Sequence, residues 1–255
     1  MRKNRKDTLC LVVGLAVWLL GIGQGAAYEV APVLKGGTVA GTVTFTGEVP
    51  PAKRFELRRA PDPTFCGAFS DGLGYRLLRE VVVSEAGRLQ DVVVTIEGVR
   101  AGKPFLWDET KLEANICQFM PFVSVVRDHH PMTVTNLDPV SHDLQVYERD
   151  EEHVFIMFHR PALTKTGTTD IVKFTDERKE ITMQCGMHPY MQAHSITVDN
   201  PYYALTGLDG TFTIKDLPAG VYKVRAWHPI LGMQEQQIAV EAGGTASTGF
   251  TFHAR

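Results

Sequence analysis

Within seven residues, Cys185-Gly-Met-His188-Pro-Tyr-Met191, the chain places a thiol, an imidazole and a thioether. Sulfur and imidazole together make a soft donor set that selects copper, and two His with one Cys and a weak axial Met suit one-electron transfer. Such a set needs a second His. His142, in Asn136-Leu-Asp138-Pro-Val-Ser-His142-Asp143, stands 43 residues before the Cys and is placed to arrive from a neighbouring strand. Structural zinc fits less well, because it prefers paired Cys and His spacings and Met is a poor zinc ligand. There is no C-x-x-C, so neither the thioredoxin motif nor a c-type haem attachment is present. A buried Cys beside an unrelated His and Met is the remaining alternative.

The elements that must bring these residues together read as β. Short runs rich in Val, Thr, Ile, Phe and Tyr are broken by Gly, Pro, Asn and Asp. Examples are Thr38–Phe45, Asp91–Ile96 and Gly220–Ala226. No stretch holds a helical period for three turns, and evenly spaced strands and turns indicate sandwich folds. With 44% apolar residues in 255, the chain can bury a core of one or two domains.

Cys-x2-His-x2-Met resembles the ligand loop of the cupredoxins, most closely the short loop of the amicyanin type. The run Ile116–Val126, then Met132-Thr-Val-Thr-Asn136-Leu-Asp138, then Ser141-His142, is similar to the cupredoxin stretch leading to the first His. The resemblance covers about a third of the chain and implies one type 1 copper. It makes His142, Cys185 and His188 equatorial ligands and Met191 axial. It also implies that the His188 edge reaches the surface and passes the electron, ringed by an apolar patch of Met187, Pro189 and Tyr190. Pro189 should stiffen the loop through its fixed φ. Cupredoxins usually carry Asn after the first His, tying the two ligand loops together near the thiolate. Here that position, a neighbour of the ligands rather than a ligand, is Asp143, an acceptor with no amide donor.

Copper nitrite reductases and multicopper oxidases resemble cupredoxins but relay electrons through a His beside the type 1 Cys. Here the neighbours are Gln184 and Gly186, and no Ser/His/Asp or paired-carboxylate arrangement stands out, so no enzyme is expected. Of the other histidines, His129 and His130 sit at a turn, His153 and His159 flank an apolar strand, and His194 follows Met191 on the next strand. His228 reads as structural.

Residues 2–6 hold four basic side chains, Leu9–Gly23 is an apolar run of fifteen, and Gly25-Ala26-Ala27 is small. This reads as a Sec-type signal peptide, 1–27, and implies a periplasmic or otherwise exported protein. Fifteen apolar residues fall short of the roughly twenty that span a bilayer, so no membrane span is expected after cleavage. The mature 228 residues would carry 22 basic and 28 acidic side chains, net −6. No basic patch suggests nucleic acid. Mild acidity suits a cationic redox partner such as a cytochrome or a copper or quinone enzyme. Cys10 leaves with the leader. Of the three remaining cysteines, an odd count calls for one special thiol. If Cys185 binds copper, Cys66 and Cys117 are free to form a disulfide, which an oxidising compartment favours; two unpaired buried thiols are the alternative.

Residues 203–252, with the Asp209-Gly210 turn and Leu217-Pro-Ala-Gly220-Val-Tyr222, resemble the second half of a carboxypeptidase-regulatory-like, or transthyretin-like, β-sandwich. Gly37–Phe45 and Leu89–Gly98 match its opening strands. The resemblance implies an all-β chain in which a Greek-key cupredoxin sandwich, 113–199, is inserted in or joined to a transthyretin-like sandwich made of 28–112 and 200–255. Insertion requires the strand at 38–45 to pair beyond residue 200; three consecutive β modules are the alternative. Two functions follow. One is an exported carrier of single electrons. The other is an envelope binding or assembly module in which copper is structural, stored or absent.

Overall fold

The computed structural model describes residues 28–149, 153–174 and 180–254. The expected signal peptide, 1–27, lies outside the described residues. The chain is almost wholly β, in two sandwiches.

The first sandwich joins distant parts of the sequence. Its three-stranded sheet runs Thr211–Leu217, Gly37–Thr46, Thr245–His253. Gly37–Thr46 is central and both its partners lie beyond residue 200: Thr38 to Thr46 run parallel to Thr245 to His253, and Thr42 to Val39 run antiparallel to Thr211 to Ile214. The facing sheet orders Tyr203–Leu205, Val93–Glu97, Gly220–His228 and Gly232–Val240. Alternation sends Phe212 and Ile214 inward, and an irregularity after Ile214, where Asp216 takes φ +61°, turns Leu217 inward as well; they meet Val39, Val43, Val94, Ile96 and Phe250. The Asp209-Gly210 turn enters that strand. Gly210 adopts φ +64°, which glycine reaches without penalty, and Asp209 Oδ1 accepts the Thr211 amide at 3.1 Å.

The second sandwich packs a four-stranded sheet (Thr169–Val172, Met132–Asn136, Thr110–Ala114, Phe119–Met120) on a five-stranded one. The latter orders Val154–Leu163, His142–Arg149, Glu180–Cys185, Gln192–Val198 and Val123–Arg127. Strict alternation in Met132–Asn136 and His142–Arg149 buries Met132, Val134, Leu144 and Val146. A smaller cluster of Val93, Val123, Val125, Ile196, Val198 and Trp227 joins the two sandwiches, since its members come from both.

One segment departs from the sequence-based boundaries. Among the described residues Lys53–Glu56 and Tyr75–Leu78 pair only with each other, and between them run 3-10 turns at Leu57–Arg59 and Gly67–Phe69 and a one-turn helix, Pro63–Cys66. Leu57 and Cys66 lie within 28–112, the stretch expected in the first sandwich, but bury themselves in the second core with Phe119 and Tyr190. Residues 53–78 therefore form a cap on the second sandwich. The strand Thr110–Ala114 also belongs there, paired with Met132–Asn136. Among the described residues, no helix is long and apolar enough to cross a membrane.

Candidate metal centre

Two strand ends meet at the site. His142 opens the strand His142–Arg149, and Cys185 closes the adjacent antiparallel strand Glu180–Cys185. The short loop after Cys185 folds back tightly: the Met191 amide donates to the His188 carbonyl at 2.8 Å, and the Cys185 amide to the Met191 carbonyl at 3.1 Å. That closure brings His188 beside Cys185 and buries Met191 at the loop's end. His142 Nδ1 and His188 Nδ1 stand 3.3 Å apart, and Cys185 Sγ lies 3.5 Å from His188 Nδ1 and 4.0 Å from His142 Nδ1. All three side chains are buried.

The outer nitrogens decide what these inner ones can do. His142 Nε2 lies 2.9 Å from Asp138 Oδ2, and His188 Nε2 lies 3.2 Å from the Pro61 carbonyl. A carboxylate and a carbonyl accept, so each Nε2 carries the proton and each Nδ1 presents a bare lone pair. Two lone pairs facing one another at 3.3 Å repel unless a cation or proton lies between them. Burial favours the neutral forms: it lowers the pKa of both imidazoles, against the opposing pull of Asp138 on His142 and of Pro61 on His188. Burial raises the Cys185 thiol, opposed by the backbone amides of Asp143, Met187 and His188.

This donor set fits a metal ion. The circle through the three donor atoms has a radius of about 2.1 Å, against roughly 2.0–2.3 Å for bonds from nitrogen and sulfur to a d-block ion. Two neutral imidazoles with one thiol converging on such a point match the soft set that copper prefers. Cys117, Asp138 and His142 also cluster, but Cys117 is bonded to Cys66 and offers no thiolate.

Asp143 acts through its backbone. Its amide donates to Cys185 Sγ at 3.3 Å and its carbonyl accepts from the Gly186 amide at 2.8 Å, so the two ligand segments are tied without a side-chain amide. Its carboxylate accepts from Gln145 Nε2 at 3.2 Å.

The expectation of a surface-exposed His188 edge is overturned. His188 is 0% exposed, because the cap lies on it: besides Pro61, Asp62 Oδ2 and Cys66 Sγ each stand 3.7 Å from its Nε2. Tyr190 is also buried, against Phe55 of the cap, so of the three expected patch residues only Met187 and Pro189 reach solvent. Burial pushes the Tyr190 phenol up to about 12, partly offset by Arg76.

Cys66 and Cys117 form a disulfide. Three contributors escaped the sequence reading: Asp138, the Pro61–Asp62 corner, and the turn at Ile116 and Cys117. Both turn residues have positive φ, and their amides converge on Asp138, at 2.6 Å to Oδ1 and 2.8 Å to Oδ2. Such a nest of successive amides suits an anion. The sequence signal for Asp138 is its place four residues before His142 and two after Asn136, a residue that favours turns; in the structure the Asp138 amide donates to Asn136 Oδ1, an Asx turn. The other described histidines lie elsewhere. His228 Nδ1 accepts the amides of Ile230 and Leu231, and His194 packs against Phe122 and Thr182.

No family model matches the chain and no curated protein matches it. Among solved structures it is similar to a purple cupredoxin from Nitrosopumilus maritimus, at 18% identity and TM-score 0.30, over 35% of this chain and 99% of that one. It is similar to amicyanin from Paracoccus versutus at 15% identity and TM-score 0.29, over 41% and 97%. A Cu-containing nitrite reductase from Thermus scotoductus SA-01 gives 19% and 0.29, over 40% of this chain and 24% of that one. These are partial likenesses, too distant to assign a function.

Proposed function

We propose that the chain is an exported carrier of single electrons, holding one copper ion through His142, Cys185 and His188 with Met191 as a weak axial ligand. The observation that carries this reading is the convergence of two bare Nδ1 lone pairs and one thiol on a point within bonding reach of all three. Bound copper would supply a one-electron couple. The residues do the rest. Asp138 and the Pro61 carbonyl fix the imidazole tautomers, the Asp143 amide donates to the sulfur, and the buried setting excludes water. The absence of a His beside Cys185 speaks against a multicentre reductase or oxidase, so no enzyme activity is assigned.

In this reading the copper sandwich interrupts a transthyretin-like sandwich built from both ends of the chain. That arrangement is supported by the pairing of Gly37–Thr46 with Thr211–Leu217 and Thr245–His253. The outer sandwich then docks the carrier to a larger redox system in the periplasm, the partner being a cytochrome or a copper or quinone enzyme.

One observation favours the second reading, an envelope binding or assembly module in which copper is structural, stored or absent: the His188 edge, the expected electron exit, is closed. Reversible chemistry separates the two. Purified protein given Cu(II) should show an intense thiolate-to-copper band in the visible, lost in Cys185→Ser. It should survive repeated reduction and reoxidation without losing metal. A colourless Cu(II) form sinks the carrier reading; a blue form that releases its copper on the first reduction moves the protein to storage.

A further inference from the structure

One covalent bond is shared by the supports of both imidazoles. Cys66 ends the cap helix Pro63–Cys66, and the same cap supplies the Pro61 carbonyl that takes the His188 Nε2–H. Cys117 lies in the turn whose two amides hold Asp138, and Asp138 takes the His142 Nε2–H. The Cys66–Cys117 disulfide ties these two supports together across 51 residues of sequence, and Cys66 Sγ itself stands 3.7 Å from His188 Nε2.

Among the described residues no ladder joins the cap to the second sandwich, since its two strands pair only with each other. Besides the disulfide, its links to that sandwich include Arg76 Nη2, which donates to Gln118 Oε1 at 2.8 Å, the His188–Pro61 hydrogen bond, and the packing of Leu57, Phe55, Ala60 and Phe65 against the second core.

We propose that the Cys66–Cys117 disulfide is a positioning element of the metal centre, clamping both histidines by their outer nitrogens and slowing release of the ion. The proposal rests on the copper reading. Release requires one donor to leave first. His188 has no open edge and leaves only when the cap lifts. His142 turns only when Asp138 leaves the 116–117 turn. The disulfide makes each movement pull against the other support, and it removes loop-closure freedom from the opened state. Its sulfurs are buried, so the clamp stays shut while the protein is folded in an oxidising compartment.

The test compares the wild-type protein with Cys66→Ala/Cys117→Ala. Two quantities are read: solvent exchange of the His142 and His188 Nε2–H protons by 15N NMR in the metal-free protein, and the rate of Cu(I) transfer to bicinchoninate. Loss of the bond should speed exchange at both rings. It should also speed Cu(I) transfer by about 10–100-fold, the scale at which groups behind metal ligands act. Amide protection at Met183 and Ala193, in the interior of the five-stranded sheet, should persist.

A second comparison uses wild-type protein reduced with a water-soluble phosphine. Each sulfur gains a proton and the phosphine takes an oxygen from water. After the phosphine is removed, ring exchange is read on the metal-free protein and Cu(I) transfer on a loaded portion. In a second metal-free portion a small-molecule disulfide, itself reduced to two thiols, reoxidises the pair before Cu(I) is loaded, which should restore slow exchange and slow transfer. Unchanged ring exchange and transfer in both comparisons overturn the proposal. So does a chain that loses amide protection throughout, which would make the bond a general staple. A wild-type chain that takes up no Cu(I) sinks the copper reading instead, and ring exchange alone then decides whether the clamp holds.

Discussion

The Nε2 of His188 lies 3.2 Å from the carbonyl oxygen of Pro61, a residue 127 positions earlier in the chain. That contact closes the outer edge of an imidazole whose inner nitrogen faces Cys185 and His142. It fixes the tautomer of the ring, and it makes the cap rather than the ligand loop the surface nearest the site on that side. An electron reaching the site by way of His188 would cross this hydrogen bond.

Removing the Asp138 carboxylate should loosen His142 specifically. Asp138→Ala leaves the Ile116 and Cys117 amides and the His142 Nε2–H without their acceptor. Buried donors left unpaired cost about 1–3 kcal/mol, which denaturant unfolding of the metal-free protein would measure. Competition titration should show copper bound about 10–100-fold more weakly. An Asp138→Ala protein with wild-type stability and affinity would remove Asp138 from the site.

Gly186→Ala should disturb the tie between the two ligand segments. An added Cβ would meet the Asp143 carboxylate and the Gln145 amide, the ends of two movable side chains, which must turn aside. Giving up their mutual hydrogen bond costs about 0.5–1.5 kcal/mol. Because the Asp143 amide donates to Cys185 Sγ, the visible band of the copper form should move as well. A variant as stable as the wild type, with an unmoved band, would show that Asp143 and Gln145 give way freely.

Acid should destabilise the protein through two buried histidines away from the metal centre. Burial lowers His194 to about 4, with Arg149 and Lys53 adding to the effect, and lowers His228 to about 4, with His194 adding. Both stay neutral when folded but protonate near 6.5 when unfolded. Their contribution is therefore full above about pH 6.5 and is lost as pH falls towards 4. The loss is on the order of 2–3 kcal/mol for each ring. Urea unfolding at pH 7 and pH 4.5 measures it, and His194→Gln should flatten part of the slope. Equal stability at the two pH values would contradict the burial of both rings as neutral groups.

Much of the fold could be read from local pattern. Alternation in Met132–Asn136, in His142–Arg149 and over 211–214 shows which side chains turn inward, because a strand has period two. The Asp209-Gly210 turn is a local matter of a positive φ and an aspartate that caps the next amide. Local pattern does not place the cap, because its strands are short, one mostly exposed and the other half-buried, and no local signal says which core Leu57 and Cys66 will enter.

The sequence by itself determined the donor types of the site: a thiol and two imidazoles, at spacings that a strand, a short loop and a neighbouring strand convert into proximity, with the Met191 thioether at the end of that loop. Donor types are covalent facts, and the 185–191 loop is too short to separate its members. Only the tertiary structure decided the surroundings. That Asp138 and Pro61 take the outer protons, that one disulfide backs both rings, and that His188 is sealed all depend on contacts between segments up to 127 residues apart. Such contacts are selected by the packing of whole sheets and a cap, not by the residues beside each ligand.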